Sequence, residues 1–168
     1  MNQAKNYLFI LLFAGITGVS CDKKGVHPIT NPSNSIIATV NATWFGTTTY
    51  TYTPQSISYT NGLLSIHGKY EDNNGGENFD LFIHLQKAGA YSLSTYNYAY
   101  IEPWSNSSPN SFSFCTDSLH TGTINLSKFD SIKHLIDGTY SFIANMVQPI
   151  QSDGTATVTN GSINNLTW

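Results

Sequence analysis

From residue 36 onward, apolar and polar residues alternate with a period of two along most of the chain. Even positions carry Ile36, Ala38, Val40, Ala42 and Trp44, with Thr39, Asn41 and Thr43 between most of them. Successive side chains of a strand point to opposite faces, so this spacing predicts a half-buried strand. Residues 47–52 continue it in threonine and tyrosine, both favoured in strands. Residues 63–70 and 78–85 predict a hairpin, with Leu64, Ile66 and Tyr70 on one face and Leu81, Ile83 and Leu85 on the matching face. Its expected loop, 71–77, is rich in Asn and Gly, which tolerate positive φ. Short strands follow at 89–93 and 96–101, then a surface loop at 103–110. Residues 111–115 and 121–127 alternate again, with Phe112, Phe114, Ile124 and Leu126 inward. Residues 138–146 line up Tyr140, Phe142, Ala144 and Met146. A strand at 155–159, a turn at Asn160 and Gly161, and a strand at 163–168 complete the pattern, with one short helical turn expected between 127 and 135.

About nine to eleven short strands, with turn signals every eight to twelve residues, predict an all-β domain. The expected architecture is an antiparallel β-sandwich, and the alternative is a small closed β-barrel of the lipocalin-like kind.

The first residues follow another pattern. Lys5 precedes an apolar run from Tyr7 to Ala14, too short to cross a bilayer, and small residues lead to Cys21. That is the layout of a bacterial lipoprotein signal: residues 1–20 are removed and the Cys21 thiol is acylated. Residues 21–34, with two prolines and no periodicity, read as a tether, and residues 35–168 as a single domain. The expected location is the cell envelope, anchored to the outer membrane at its periplasmic face or at the cell surface. Lys23 and Lys24 after Asp22 favour the periplasmic face, because acidic residues in this position favour surface export.

Composition narrows the function classes. Charged residues make up 10% of the chain and arginine is missing. Residues 21–168 hold six lysines against ten acids, 6 − 10 = −4. Nucleic-acid binding rests on Lys and Arg neutralising phosphates, so it is not expected. Acylation of Cys21 would leave Cys115 unpaired and the domain without a disulfide.

The segments Ala-Thr-Val-Asn-Ala-Thr-Trp44, Asn-Gly-Leu-Leu-Ser-Ile-His-Gly68, Gly-Ala-Tyr-Ser-Leu93, Gly-Thr-Ile-Asn-Leu126, Ile-Asp-Gly-Thr-Tyr-Ser-Phe142 and Thr-Val-Thr-Asn-Gly-Ser-Ile163 follow one another behind the cysteine. In this order the chain resembles a family of small Bacteroidota envelope lipoproteins, over roughly residues 36 to 168. The resemblance implies an all-β lipoprotein and carries no catalytic role or ligand.

No catalytic signature occurs: no nucleophile elbow, zinc helix, phosphate loop or dinucleotide fingerprint. The protein is therefore expected not to be an enzyme and to need no cofactor. Cys115 and His120 are near in sequence but follow no catalytic spacing. His67 and His84 fall on the outward face of the predicted hairpin, across from or diagonal to each other, as weak metal candidates beside Asp80. The acids Glu71, Asp72, Glu77 and Asp80 lack the ligand order of a calcium loop. Tyr96, Tyr98 and Tyr100, spaced by two, with Trp104 behind them, form a candidate aromatic platform for sugar rings; the partner is expected to be a glycan or an envelope protein. Asp117-Ser118-Leu119 and Asp130-Ser131-Ile132 are similar to the O-glycosylation acceptor pattern of exported Bacteroidota proteins, which makes Ser118 and Ser131 candidate modification sites.

Overall fold

The computed structural model describes residues 34–42, 46–107, 112–148 and 154–168. The expected signal peptide, most of the expected tether, Cys21 and Trp44 lie outside the described residues. Among the described residues, ten strands form: β1 (Ser35–Ala42), β2 (Gly46–Thr60), β3 (Leu63–Asp72), β4 (Gly75–His84), β5 (Gly89–Leu93), β6 (Tyr98–Ser105), β7 (Ser113–Cys115), β8 (Gly122–Asp130), β9 (Leu135–Gln148) and β10 (Thr155–Thr167).

All pairings are antiparallel, and neighbours run β10-β1-β2-β3-β4-β6-β7-β9 before β9 pairs again with β10. That pairing closes a ring of eight strands, so the fold is the closed β-barrel and not the favoured sandwich. Period-two alternation gives every strand an inward face, but it is blind to whether two sheets stack or one sheet closes. The pairing of β1 with β10, far apart in sequence, decides that. Strands β7 and β8 follow each other along one edge of β9, with Cys115 opposite Asn145 and Asp130 opposite Leu135. β5 extends the wall from β8.

Several local expectations change. The β2–β3 turn is Asn61-Gly62, both at positive φ (53° and 82°), the conformation a two-residue hairpin turn needs. The β3–β4 loop shrinks to Asn73-Asn74, because Asp72 already pairs with Gly75. β6 continues through Pro103 to Ser105, where a surface loop was expected. No helical turn forms before Leu135: β8 runs to Asp130 and a four-residue turn, 131–134, leads into β9. Asn160, at φ 52°, marks an irregularity inside a continuous β10 instead of a chain reversal.

The barrel has two distinct ends, defined by register. The lower end gathers the start of β1, the Asn61-Gly62 turn, the end of β4, the 131–134 turn and Trp168. The upper end gathers the β3–β4 turn, the end of β6 and the start of β10.

The interior is filled. Ile36, Val40, Leu64, Ile66, Phe79, Leu81, Ile101, Phe114, Ile124, Phe142 and Val158 are all buried, contributed by strands around the ring. The aromatic rings of Tyr52, Phe79 and Tyr140 pack in series at 5.3 and 5.2 Å. An eight-stranded barrel is just wide enough for side chains to fill. Phe79→Ala should cost about 3–5 kcal/mol, since the stiff wall cannot collapse onto the void. Urea unfolding checks this, and a loss under about 1 kcal/mol would mean the centre is not packed as described.

Candidate functional site

With the interior occupied, the chemistry available to partners lies on the outer wall. On β4 the outward positions are Gly76, Asn78, Asp80, Phe82 and His84; on β6 they are Tyr98, Tyr100, Glu102 and Trp104. Register sets Phe82 opposite Tyr98, Asp80 opposite Tyr100, Asn78 opposite Glu102 and Gly76 opposite Trp104. Phe82 and Tyr98 stack at 4.6 Å, and His84 and Tyr96 at 4.1 Å. Tyr96, just before β6, is 66% exposed, while Tyr98, Tyr100 and Trp104 are half-buried. The four aromatic residues expected to form a platform therefore do share one strip. Tyr96 and Tyr98 each have one ring face against a β4 side chain, so the strip offers single faces and edges and not free-standing planes.

Trp104 takes its position from a missing side chain. A Cβ on Gly76 would lie 2.4 Å from the indole Cζ2, so the ring occupies the space a larger residue would fill. Lys69 Nζ stands 5.3 Å above the same ring and pairs with Glu71 at 2.6 Å. Between Tyr100 and Trp104 lies a polar rung, with Asn78 Nδ2 donating to Glu102 Oε2 at 3.2 Å. At the upper rim, Tyr50, Tyr70, Asp72 and Trp104 line an open cleft of about 330 Å³. Rings and hydrogen-bonding side chains thus alternate along one wall.

The candidate histidines are separated. The two-residue turn sets His67 opposite Asp80 and His84 opposite Leu63, so the two imidazoles are not across from each other. A longer loop would have shifted the register, and the loop length was the part of the hairpin that could not be read. His67 Nδ1 is instead 2.5 Å from Asp80. Among the described residues no group of three or more His, Cys, Asp or Glu gathers to hold a metal. Asp72 is an Asx turn, accepting from the backbone N–H groups of Asn74 and Gly75 at 2.7 and 3.1 Å. Cys115 is half-buried, and desolvation pushes its thiol pKa up, away from the thiolate a nucleophile needs. His120 Nδ1 lies 3.0 Å from both carboxylate oxygens of Asp117.

The two Asp-Ser-apolar tripeptides adopt the same turn. Asp117 Oδ1 accepts from the N–H groups of Leu119 and His120, both at 2.7 Å. Asp130 Oδ1 accepts from those of Ile132 and Lys133 at 3.1 and 2.9 Å. These N–H donors hold both carboxyls below the usual range. Ser118 and Ser131 sit exposed at the turns, beside Leu119 at 85% and Ile132 at 89% exposure. The first turn lies on the wall between β7 and β8, the second at the lower end.

One residue of consequence falls in the segment whose composition predicts a loop. Glu77 faces inward and is 1% exposed, with Tyr52 donating its hydroxyl to Glu77 Oε1. The alternation through Glu77, Phe79, Leu81 and Ile83 was the signal that could have revealed it. Desolvation raises its pKa from 4.5 to about 7, opposed by the Tyr52 hydrogen bond. Between those values the native protein keeps a proton that the unfolded chain has lost. Stability is therefore fully present below about pH 4.5 and falls as pH rises through 7, by on the order of 3 kcal/mol. Urea midpoints measured from pH 4.5 to 8 should show this decline, and Glu77→Gln should flatten it. A wild-type profile that rises over that interval would contradict the buried acid.

No family model, no curated protein and no solved structure matches the chain, so the function is argued from the wall and its two ends.

Proposed function

We propose that this protein is a membrane-anchored, non-catalytic binding module of the cell envelope, held by acyl chains on Cys21 and engaging its partner through the outer wall of β4 and β6. The carrying observation is the contrast between an interior of buried apolar side chains and a wall that turns Tyr96, Tyr98, Tyr100 and Trp104 outward. Buried rings and aliphatic side chains occupy the centre of this barrel, which supports a reading in which recognition falls to its surface. The non-catalytic reading is supported by the raised Cys115 pKa and by histidines that pair with aspartates on the outer wall. The anchor reading is supported by the residues around Cys21 alone. Two or three acyl chains, at about 0.8 kcal/mol per buried methylene, give near-permanent attachment. The reading sets the domain at the outer membrane, on its periplasmic face or at the cell surface.

A glycan is the ligand class the strip favours over an envelope protein. The strip combines ring faces with the Asn78–Glu102 pair and Lys69, and so offers both stacking surfaces and partners for hydroxyl groups. The same turns that expose Ser118 and Ser131 support their reading as O-glycosylation acceptors.

Intact mass of the protein extracted from membranes should correspond to a chain beginning at Cys21 and carrying acyl groups, and Cys21→Ser should abolish both processing and acylation. In a glycan-array screen followed by tryptophan fluorescence, Trp104→Ala or Tyr98→Ala should raise the Kd of a hit at least about tenfold. Hits indifferent to both substitutions would remove the strip as the site, and silence across the array would leave a protein partner, to be sought by co-purification from membranes.

A further inference from the structure

The lower end of the barrel differs from the upper end in charge and in what it shows to solvent. Of the four lysines among the described residues, Lys87, Lys128 and Lys133 belong to the lower end, all exposed. The acids there are Asp130 and Asp137, and backbone N–H groups engage both carboxylates: Ile132 and Lys133 on Asp130, and Asn165 on Asp137 at 2.7 Å. Among the described residues the upper half carries Glu71, Asp72, Glu102 and the buried Glu77 against Lys69 alone. Ile132, at 89% exposure, projects from the 131–134 turn between these lysines.

Beneath that turn the end is closed by aromatic rings. Phe129 and Trp168 stack at 5.7 Å, Tyr59 meets Phe129 edge-on at 4.9 Å, and His134 lies 5.4 Å from Trp168. His134 Nδ1 also pairs with the Trp168 carbonyl at 2.8 Å, which ties the turn to the end of β10. An apolar side chain on a stiff turn, backed by amphipathic rings and with three lysines at the same end, matches a headgroup layer: apolar atoms reach the acyl boundary while ammonium groups meet phosphate.

β1 begins at this same end. Residues 22–33, between Cys21 and Asn34, cover at most about 45 Å when fully extended. They also carry Lys23 and Lys24 beside Asp22.

We infer that the barrel stands on the membrane by its lower end, with Ile132, Lys87, Lys128 and Lys133 against an anionic lipid surface and the upper rim facing away. The inference rests on the anchor reading and adds an orientation to it. The strip on β4 and β6 then runs up from the membrane, with Trp104 farthest from it. The two acceptor serines are no longer equivalent. Ser118 on the wall stays open to modification, whereas a sugar on Ser131 would separate the turn from the lipid, so this orientation keeps Ser118 as an acceptor and withdraws Ser131.

The test is lysine footprinting of the full chain, expressed in a bacterium with an envelope, purified and inserted into preformed vesicles. A membrane-impermeant amine-acylating reagent is applied in phosphatidylcholine vesicles and in vesicles containing phosphatidylglycerol, and modification is read by peptide mass. The expected result is that Lys87, Lys128 and Lys133 lose reactivity relative to Lys69 by at least about fivefold on the anionic surface. Ile132→Asp combined with Lys128→Glu and Lys133→Glu should return Lys87 to its reactivity on neutral vesicles; if that variant does not fold, the wild-type footprint decides alone. An unchanged ratio, equal protection of Lys69, or a glycan mass on Ser131 would overturn the inference. Intact mass of the same preparation reports the Cys21 acyl groups, so a failed anchor is seen separately. In that event the unacylated chain, with the same vesicles in excess, must still show the lysine ratio for the contact to stand.

Discussion

A sheet that closes on itself removes its exposed edges and in return must be filled from inside by every strand that forms it. In this protein that constraint is met where β9 and β1 both pair with β10, and much else follows from the closure. Eight strands leave room for side chains and little more. The rings of Tyr52, Phe79 and Tyr140 pack in series there, and small residues such as Ala38, Ala99, Ala144 and Ala156 are buried in the same core. A filled centre decides where function can lie. It turns attention to the outer wall and the two ends, where the exposed and half-buried polar and aromatic side chains lie.

Glu77 is the one buried acid among the described residues. Glu77 faces the same centre as Phe79 and Leu81, and its bonded partner there is the neutral hydroxyl of Tyr52. Burial favours the protonated acid, while the hydroxyl favours the carboxylate, and desolvation wins. At neutral pH the group is therefore poised between its two forms inside a packed core. A glutamine of similar shape would avoid the cost of ionisation, which makes the acid a source of pH dependence that hydrophobic residues at this position could not supply.

Much of this was legible from alternation alone, and the failures share a cause. The inward faces of β1, β4 and β9 were correctly read because Ile36, Ala38 and Val40, then Leu81 and Ile83, then Tyr140, Phe142 and Ala144, repeat at a period of two. Register and connection length were not legible. A loop rich in Asn and Gly can turn in two residues or seven, and that choice moved His67 onto Asp80 and sent Glu77 inside. Pro103 reads as a breaker, yet a proline can stay in β6 when its missing N–H is not needed by the ladder. Asn160-Gly161 reads as a turn, whereas here the positive φ of Asn160 is absorbed as an irregularity within β10. Barrel closure depends on pairing strands far apart in sequence, which no local pattern encodes.

The aromatic strip shows how outer and inner faces constrain each other. Tyr98, Tyr100 and Trp104 alternate with Ala99, Ile101 and Pro103, so each outward residue is held by an inward neighbour that the core has already fixed. Phe82, His84 and the bare backbone at Gly76 meet the rings from β4, which limits their rotamers before any partner arrives. Binding to such a surface loses little side-chain entropy, because the rings are already ordered. A flexible loop bearing the same four residues would have to be ordered at the moment of binding. The rigidity that closure imposes on the interior thus also orders the wall on which the proposed binding would take place.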